Sequence, residues 1–498
     1  MSRSENDSAV LSRVEPRAWP RLLVTERPRP EVVRTHPAGW RLAVATVCFG
    51  AFMGQLDASV VTLAYPALRT EFHSSLAAVE WVSLAYLLAL AALLVPVGRL
   101  SDAHGRKLMY LYGFLVFTAA SAACGLAPDL PVLIAMRAVQ AAGAALLQAN
   151  SVALVTTSAP PGRMRAALGM QAGAQALGLA LGPTLGGLIV TAVGWRWIFL
   201  VNVPIGLIAL PAGHYLLPRT RTRMPTGDFD RTGLALLATA SSALLLGISA
   251  ISGLDLPVWA LVCCFTAAVA AAAGFAHHLR TASDPLVDPM LLRRRRISTG
   301  LAGALGGYLV LFGPLVLVPV VLTARGASLT AAGLAGSALP VGFAVAALAA
   351  ERVLPAALSD RGRALLGAGI ACAGLCALAA VPPTPLVVPG ALAVAGLGLG
   401  VFMPANNALV MSAIPVSAAG TGGGLVNMTR ALGTALGVAL VTLALHAAGS
   451  ADRVLGNRLA GGLLALAALA TWAVTALQPS GPQGTPTAVE ARGASFEC

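Results

Sequence analysis

Gly98-Arg99-Leu100-Ser101-Asp102-Ala103-His104-Gly105-Arg106-Lys107 joins two apolar runs, 79–98 and 109–127. Each run is close to the ~20 residues that a helix needs to cross a bilayer. The stretch has an echo. Leu358-Ser359-Asp360 precedes Gly362-Arg363 between two later runs, 258 residues on from Asp to Asp. The second copy is one residue shorter between Asp and Gly and has no leading glycine. Working outward from both copies gives the runs 41–66, 79–98, 109–127, 131–156, 166–191, 196–217, 232–251, 256–276, 298–323, 330–354, 364–382, 386–414, 418–447 and 459–477. The expected fold is therefore an all-α polytopic bundle of fourteen spans. The repeat divides it into two six-helix halves, with spans 7 and 8 inserted between them.

Composition allows little else. The 498 residues are 57% hydrophobic and 11% charged, with mean hydropathy +0.79, too apolar to clothe a soluble domain of this length. Of the 33 basic residues, 26 fall in the tails and the even-to-odd connections and five on the other side. That bias places both termini in the cytoplasm and supports an even number of crossings. The +13 charge is then a topology signal, and Arg293–Arg296 abuts a span, so no nucleic-acid partner is expected. Six of the seven cysteines lie in apolar runs, at spacings that fit neither a disulfide framework nor a metal site. The first forty residues, rich in Arg and Pro, read as a polar tail with no cleavable leader. The expected organisation is a tail at 1–40, a bundle at 41–217, the insertion with its loops at 218–297, a bundle at 298–478 and a tail at 479–498.

Three charged residues lie inside spans. Asp57 is the one carboxylate set deep in an apolar run, where an ionisable group costs on the order of 3 kcal/mol. It is either a binding or proton-carrying group or a hydrogen-bonded structural Asp. Arg137 lies about 9 Å into span 4, at 1.5 Å per residue. It needs a cavity or an acceptor, and backbone carbonyls are one candidate. Arg430 lies roughly 18 Å into span 13 on the same measure. Asp57 from the other half is one possible partner for it. Gln55, Gln140, Asn406, Asn407 and Asn427 are polar positions able to line a cavity or to bond within the bundle. Parallel repeats with a midplane site between them are a transporter pattern.

The 98–107 stretch resembles the cytoplasmic loop motif of the major facilitator superfamily. Gly98 and Gly105 permit tight turns and close approach. Asp102 can cap the next helix or pair with an Arg, latching the halves in one state, and Arg106 and Lys107 complete the motif. Leu133 to Ala145, around Arg137 and Gln140, resembles the fourth-helix motif of the superfamily, with Ala141 at a usual glycine. That likeness implies a role for Arg137 in proton coupling or substrate contact. Gly178-Leu179-Ala180-Leu181-Gly182-Pro183-Thr184-Leu185-Gly186-Gly187 looks like the antiporter motif of drug exporters. Gly178, Gly182 and Gly186 share one helix face, and Pro183 can kink the span. Trp195 to Gly206 then resembles the start of helix six in the fourteen-helix drug:proton antiporters. Leu56-Asp57 and Tyr65-Pro66 match their first helix, although Val61-Thr62-Leu63-Ala64 lacks a usual Asn. Gly422-Gly423-Gly424, Asn427, Arg430, Gly433 and Gly437 resemble their thirteenth.

The resemblance spans about residues 40–478. It implies a proton-coupled antiporter of the cytoplasmic membrane. Its partners would be small amphipathic organic compounds, protons and the lipid bilayer, and it would act as a monomer. No cofactor is expected beyond the proton itself. There is no Gly-x-x-x-x-Gly-Lys-Ser/Thr phosphate loop, and no paired nucleophile and base or metal-ligand cluster within the spans to suggest an enzyme. Export of a single metabolite, and a transporter-like sensor or scaffold without flux, are the alternative functions. Spans 9–14 hold no interior carboxylate, since Glu351 sits at a span end, and this disfavours strongly dicationic substrates.

Overall fold

This computed structural model describes residues 26, 28–36, 38–160, 162–220, 230–251, 257–283, 285–380, 387–447 and 453–479. Fourteen long helices carry the fold: α1 Gly39–Val60, α2 Leu76–His104, α3 Arg106–Gly125, α4 Leu130–Ser158, α5 Met164–Val193, α6 Asn202–Leu216, α7 Arg231–Ile251, α8 Val258–Thr281, α9 Arg295–Ala324, α10 Leu329–Val353, α11 Asp360–Ala380, α12 Val387–Ala413, α13 Ala419–Ala447 and α14 Arg453–Ala476. Thirteen stretches are long and apolar enough to cross a membrane unaided. The fourteenth is α5, bent by 45° between Gly182 and Leu185. Pro183 lies at that break, where its missing N–H removes a rung of the helix ladder.

Two expected spans are interrupted. The first run ends as helix at Val60, passes through a 3-10 turn at Val61–Ala64 and restarts at Tyr65–Phe72, with Pro66 in the new first turn. Proline is tolerated there because first-turn N–H groups have no helical partner anyway. The sixth run divides into Trp197–Leu200 and α6, with Asn202 at the restart. The run at 330–354 forms one helix despite Pro340.

Helices α1–α6 pack into one half and α9–α14 into the other. The halves meet along two seams related by the repeat, α2 against α13 and α5 against α10. The inserted α7 packs on α8 and sits across both α2 and α13, so it touches each half. Glu26 and the short helix Glu31–Thr35 lie in the stretch expected to be a polar tail. Glu26 is nevertheless buried, accepting from Leu108 N and from Thr220. The C-terminal tail beyond Pro479 and all of residues 1–25 lie outside the described residues.

Candidate transport site and latches

Asp57 and Arg137 meet inside the first half. Arg137 Nη1 lies 2.7 Å from Asp57 Oδ2, and the two side chains are 1% and 0% exposed. The sequence places them 80 residues apart, and the α1–α4 packing brings them together. The other carboxylate oxygen, Oδ1, accepts from Gln140 Nε2 at 3.0 Å and from Asn202 Nδ2 at 3.2 Å. Arg137 also donates to Val82 O and to Gln140 Oε1, and its guanidinium lies 4.2 Å from the Tyr86 ring centre and 5.6 Å from that of Phe199. Gln140 is fixed in turn by Ser121 Oγ at 2.7 Å. A buried ion pair recovers its desolvation cost only when its hydrogen-bonding capacity is met, and here both carboxylate oxygens accept and the guanidinium donates through Nε and Nη1.

The α5 glycines position this site from behind. A Cβ on Gly178 would fall 2.6 Å from Phe52 O, and one on Gly182 would strike Ser59. Only glycine lets α5 lie this close to α1 beside Asp57. Gly186 is buried and Gly187 is open on its Cβ side. Gln55 is half-buried with its Cβ directed toward Gly178.

At the end of the bundle that carries the 98–107 loop, both seams are fastened. Asp102 accepts from Gly420 N, Thr421 N and Thr421 Oγ1 across the halves, each at 2.8 Å. It thus caps the first turn of α13, where free N–H groups and the helix dipole favour an anion. Arg106 braces the same carboxylate at 2.9 Å and reaches Val416 O. Gly98 faces Gly420 so closely that a Cβ on it would be 2.5 Å from Gly420 O. Gly105, at φ 104°, makes the turn into α3. Lys107 does not join the latch. Its Nζ donates to Leu217 O at 2.9 Å, at the end of α6 in its own half.

The echo motif fastens the second seam. Asp360 and Glu351 hold Arg165, from the start of α5, at 3.0 and 3.1 Å. Arg363 steadies Glu351 at 3.3 Å. The two motifs therefore do the same task with different chemistry, a helix cap at one seam and an ion pair at the other.

Arg430 has neither arrangement. It donates to Asn427 Oδ1 at 2.8 Å and lies 4.5 Å from the Tyr308 ring centre. Asp57, the candidate partner from the other half, is committed to Arg137. Asn427 spans the halves, donating to Gln148 O at 2.8 Å. Asn406 is fully buried within its own half, between Gly300 O and Gln478 Nε2, so it joins helices instead of lining a space. Asn407 is half-buried.

The family profile described as Major Facilitator Superfamily matches residues 47–438. The chain belongs to the major facilitator superfamily. It is a multi-pass membrane transporter of that superfamily and not an enzyme. Its relatives include the tetracenomycin C resistance and export protein of Streptomyces glaucescens, 30% identical over 82% of this chain and 76% of that protein. The methylenomycin A resistance protein of Streptomyces coelicolor is 33% identical, over 84% and 88%. The human organic anion transporter MFSD10 shares the superfamily fold, with a TM-score of 0.64 at 17% identity, over 89% of this chain and all of that one.

Within that superfamily frame, the sequence identified Asp57, Arg137 and Gln140 but not their mutual contact. It did not single out Asn202, Ser121, Tyr86, Tyr308, Gln148 or Arg165 as site residues. Asn202 is within the quoted helix-six stretch, and a polar amide set inside an apolar run was the available signal.

Proposed function

We propose that the protein is a proton-coupled antiporter, exporting small amphipathic organic compounds across the cytoplasmic membrane by alternating access. The observation that carries this reading is the sealed Asp57–Arg137 pair in a bundle whose halves are latched at one end. With both termini cytoplasmic and the domain boundaries near 41–217 and 298–478, the latched end is the cytoplasmic one. The state described is then closed to the cytoplasm.

Ionised Asp57 accepts from Arg137, Gln140 and Asn202. Protonated, it must also donate. Asn202 Oδ1 is buried without a partner, and reversing that amide would present it as the acceptor. Proton loading then loosens Arg137 and rearranges contacts among α1, α4 and α6. The close α1–α5 packing and the α5 bend carry that change toward the seams. Opening the latches exposes the cavity inward, and closing them exposes it outward. No cofactor other than the proton takes part, and one chain suffices. A second, narrower reading is a native cargo of one antibiotic-like metabolite, in keeping with the names of two relatives.

The test is transport in vesicles holding the purified chain, under an imposed pH gradient, with an amphipathic aromatic compound as cargo. Accumulation against the cargo's own gradient, accompanied by proton movement the other way, is expected. Transport indifferent to the pH gradient would rule the coupling out.

A further inference from the structure

Five cations are buried among the described residues, and four stand with a carboxylate. Arg106 has Asp102, Arg137 has Asp57, Arg363 has Glu351, and Lys107 feels Glu26. Arg430 is the fifth, 5% exposed, and no carboxylate of the described residues stands against it. One hydrogen bond to Asn427 uses one of the five N–H donors of a guanidinium. A buried charge without a counter-ion is costly, and such groups inside membranes mark substrate pathways.

Its position fits that role. Asn427, one turn earlier on α13, makes a hydrogen bond across the halves to Gln148 O on α4. Gly423 and Gly424, another turn back, pack on α4 and α2. Arg430 is thus one turn beyond the fastened part of the seam, on the same face of the helix. It lies about 17 Å along α13 from the latched end, whereas Asp57 lies about 27 Å along α1 from it. Beside the guanidinium, the Tyr308 ring stacks on Phe312 at 6.3 Å, with the planes 21° apart. A charged planar fork next to an aromatic shelf matches a carboxylate carried on an aromatic body.

We propose that Arg430 and Tyr308 form an anion-binding subsite, and that the substrates are aromatic organic acids held through their carboxylate. This deepens the export reading and rests on it. The subsite is separate from Asp57, so substrate and proton do not compete for one spot. Their exchange runs through the conformational state that each favours.

Fluorescein and rhodamine 123 provide a matched probe pair, two xanthenes of similar size that carry negative and positive charge respectively. Equilibrium binding of each to the full chain in lipid nanodiscs, with no pH gradient, reads the subsite independently of proton coupling. The unaltered protein is expected to bind fluorescein at least tenfold more tightly than rhodamine 123. Arg430→Gln should weaken fluorescein at least tenfold and abolish the preference, while Arg430→Lys, charged but without the fork, should fall between. Equal binding, a preference for rhodamine 123, no fluorescein binding by folded protein, or an Arg430→Gln variant with intact fluorescein affinity would each overturn the proposal. The first three need no variant, so a folding defect does not shield it. Fluorescein binding through Arg430 without pH-driven flux would overturn the antiport reading and leave the subsite. Flux of rhodamine 123 driven by pH and indifferent to Arg430 would do the reverse.

Discussion

Each half of this transporter buries one arginine deep in its helices, and the two are treated in opposite ways. Arg137 in the first half is neutralised by Asp57 at 2.7 Å and enclosed by Gln140, Val82 O and two aromatic rings. Arg430 in the second half has one amide and one ring. Under the proposed function the satisfied ion pair is a switch, because protonating the acid would release the base. Under the further inference, the cation without a counter-ion is the place where an anionic cargo binds. The repeat that built both halves has thus diverged into a proton-handling half and a cargo-handling half on this account.

The comparison is tested first by stability. Removing one partner of a buried ion pair strands the other and typically costs about 3–5 kcal/mol. Arg137→Gln is therefore expected to lower the thermal midpoint strongly or to abolish folded yield. Arg430→Gln strands no charge, only the oxygen of Asn427, and should change the midpoint far less. Thermal melts of both variants in the same detergent decide the matter, and equal losses would erase the distinction between the two halves.

The latches give a smaller, kinetic effect. Asp102→Asn keeps the shape but weakens a cap that holds three donors and Arg106. Maximal flux is expected to fall about tenfold, corresponding to ~1.4 kcal/mol between the two states. Substrate affinity should change little. Arg165→Gln, which unfastens the other seam, should act in the same direction. A large affinity loss with normal flux in either variant would show that the motif contacts cargo instead of governing the conformational balance.

Much of the fold was legible because hydrophobic run length and the Leu-Ser-Asp echo are local signals. The breaks at Val61–Ala64 and Val201 were not, since a continuous apolar run conceals a change of direction. The site was half legible. A charged residue inside an apolar span declares itself, which singled out Asp57, Arg137 and Arg430. Which of them touch is a matter of helix packing across 80 residues, and nothing local distinguishes Arg137 from Arg430 as the partner of Asp57. Glu351 read as a span-end acid, and its pairing with Arg165 depends on the closure of two helices from different halves. Asn406 looked like Asn427 in sequence, but one bonds inside its half and the other across the seam.

The smallest expected effect concerns the inserted pair. Burial pushes the Asp230 carboxyl up, but N–H donors from Gly233 and Leu286, together with His278, outweigh it and hold it below the usual carboxylate range. A carboxyl depressed in the folded state stabilises above its unfolded value and loses that contribution as pH falls through its folded value. Below about pH 4 the clasp between α7 and the end of α8 should loosen, and Asp230→Asn should reproduce this at neutral pH. Protease sensitivity of the α7–α8 region against pH reads it. An Asp230→Asn variant protected at neutral pH as well as the unaltered chain would show that the insertion is held by its helices alone.

The most direct test of the central claim is uphill transport by Asp57→Asn in vesicles under an imposed pH gradient. Asn can accept from Arg137, and a reversed Asn202 amide can accept from its new N–H, but the buried guanidinium loses its counter-charge, so transport is compared per unit of folded protein. Such a protein cannot change charge at position 57. Proton-driven accumulation should disappear, while exchange down the cargo's own gradient survives. Near-normal uphill transport by the folded Asn variant would contradict the account and remove Asp57 from the coupling step.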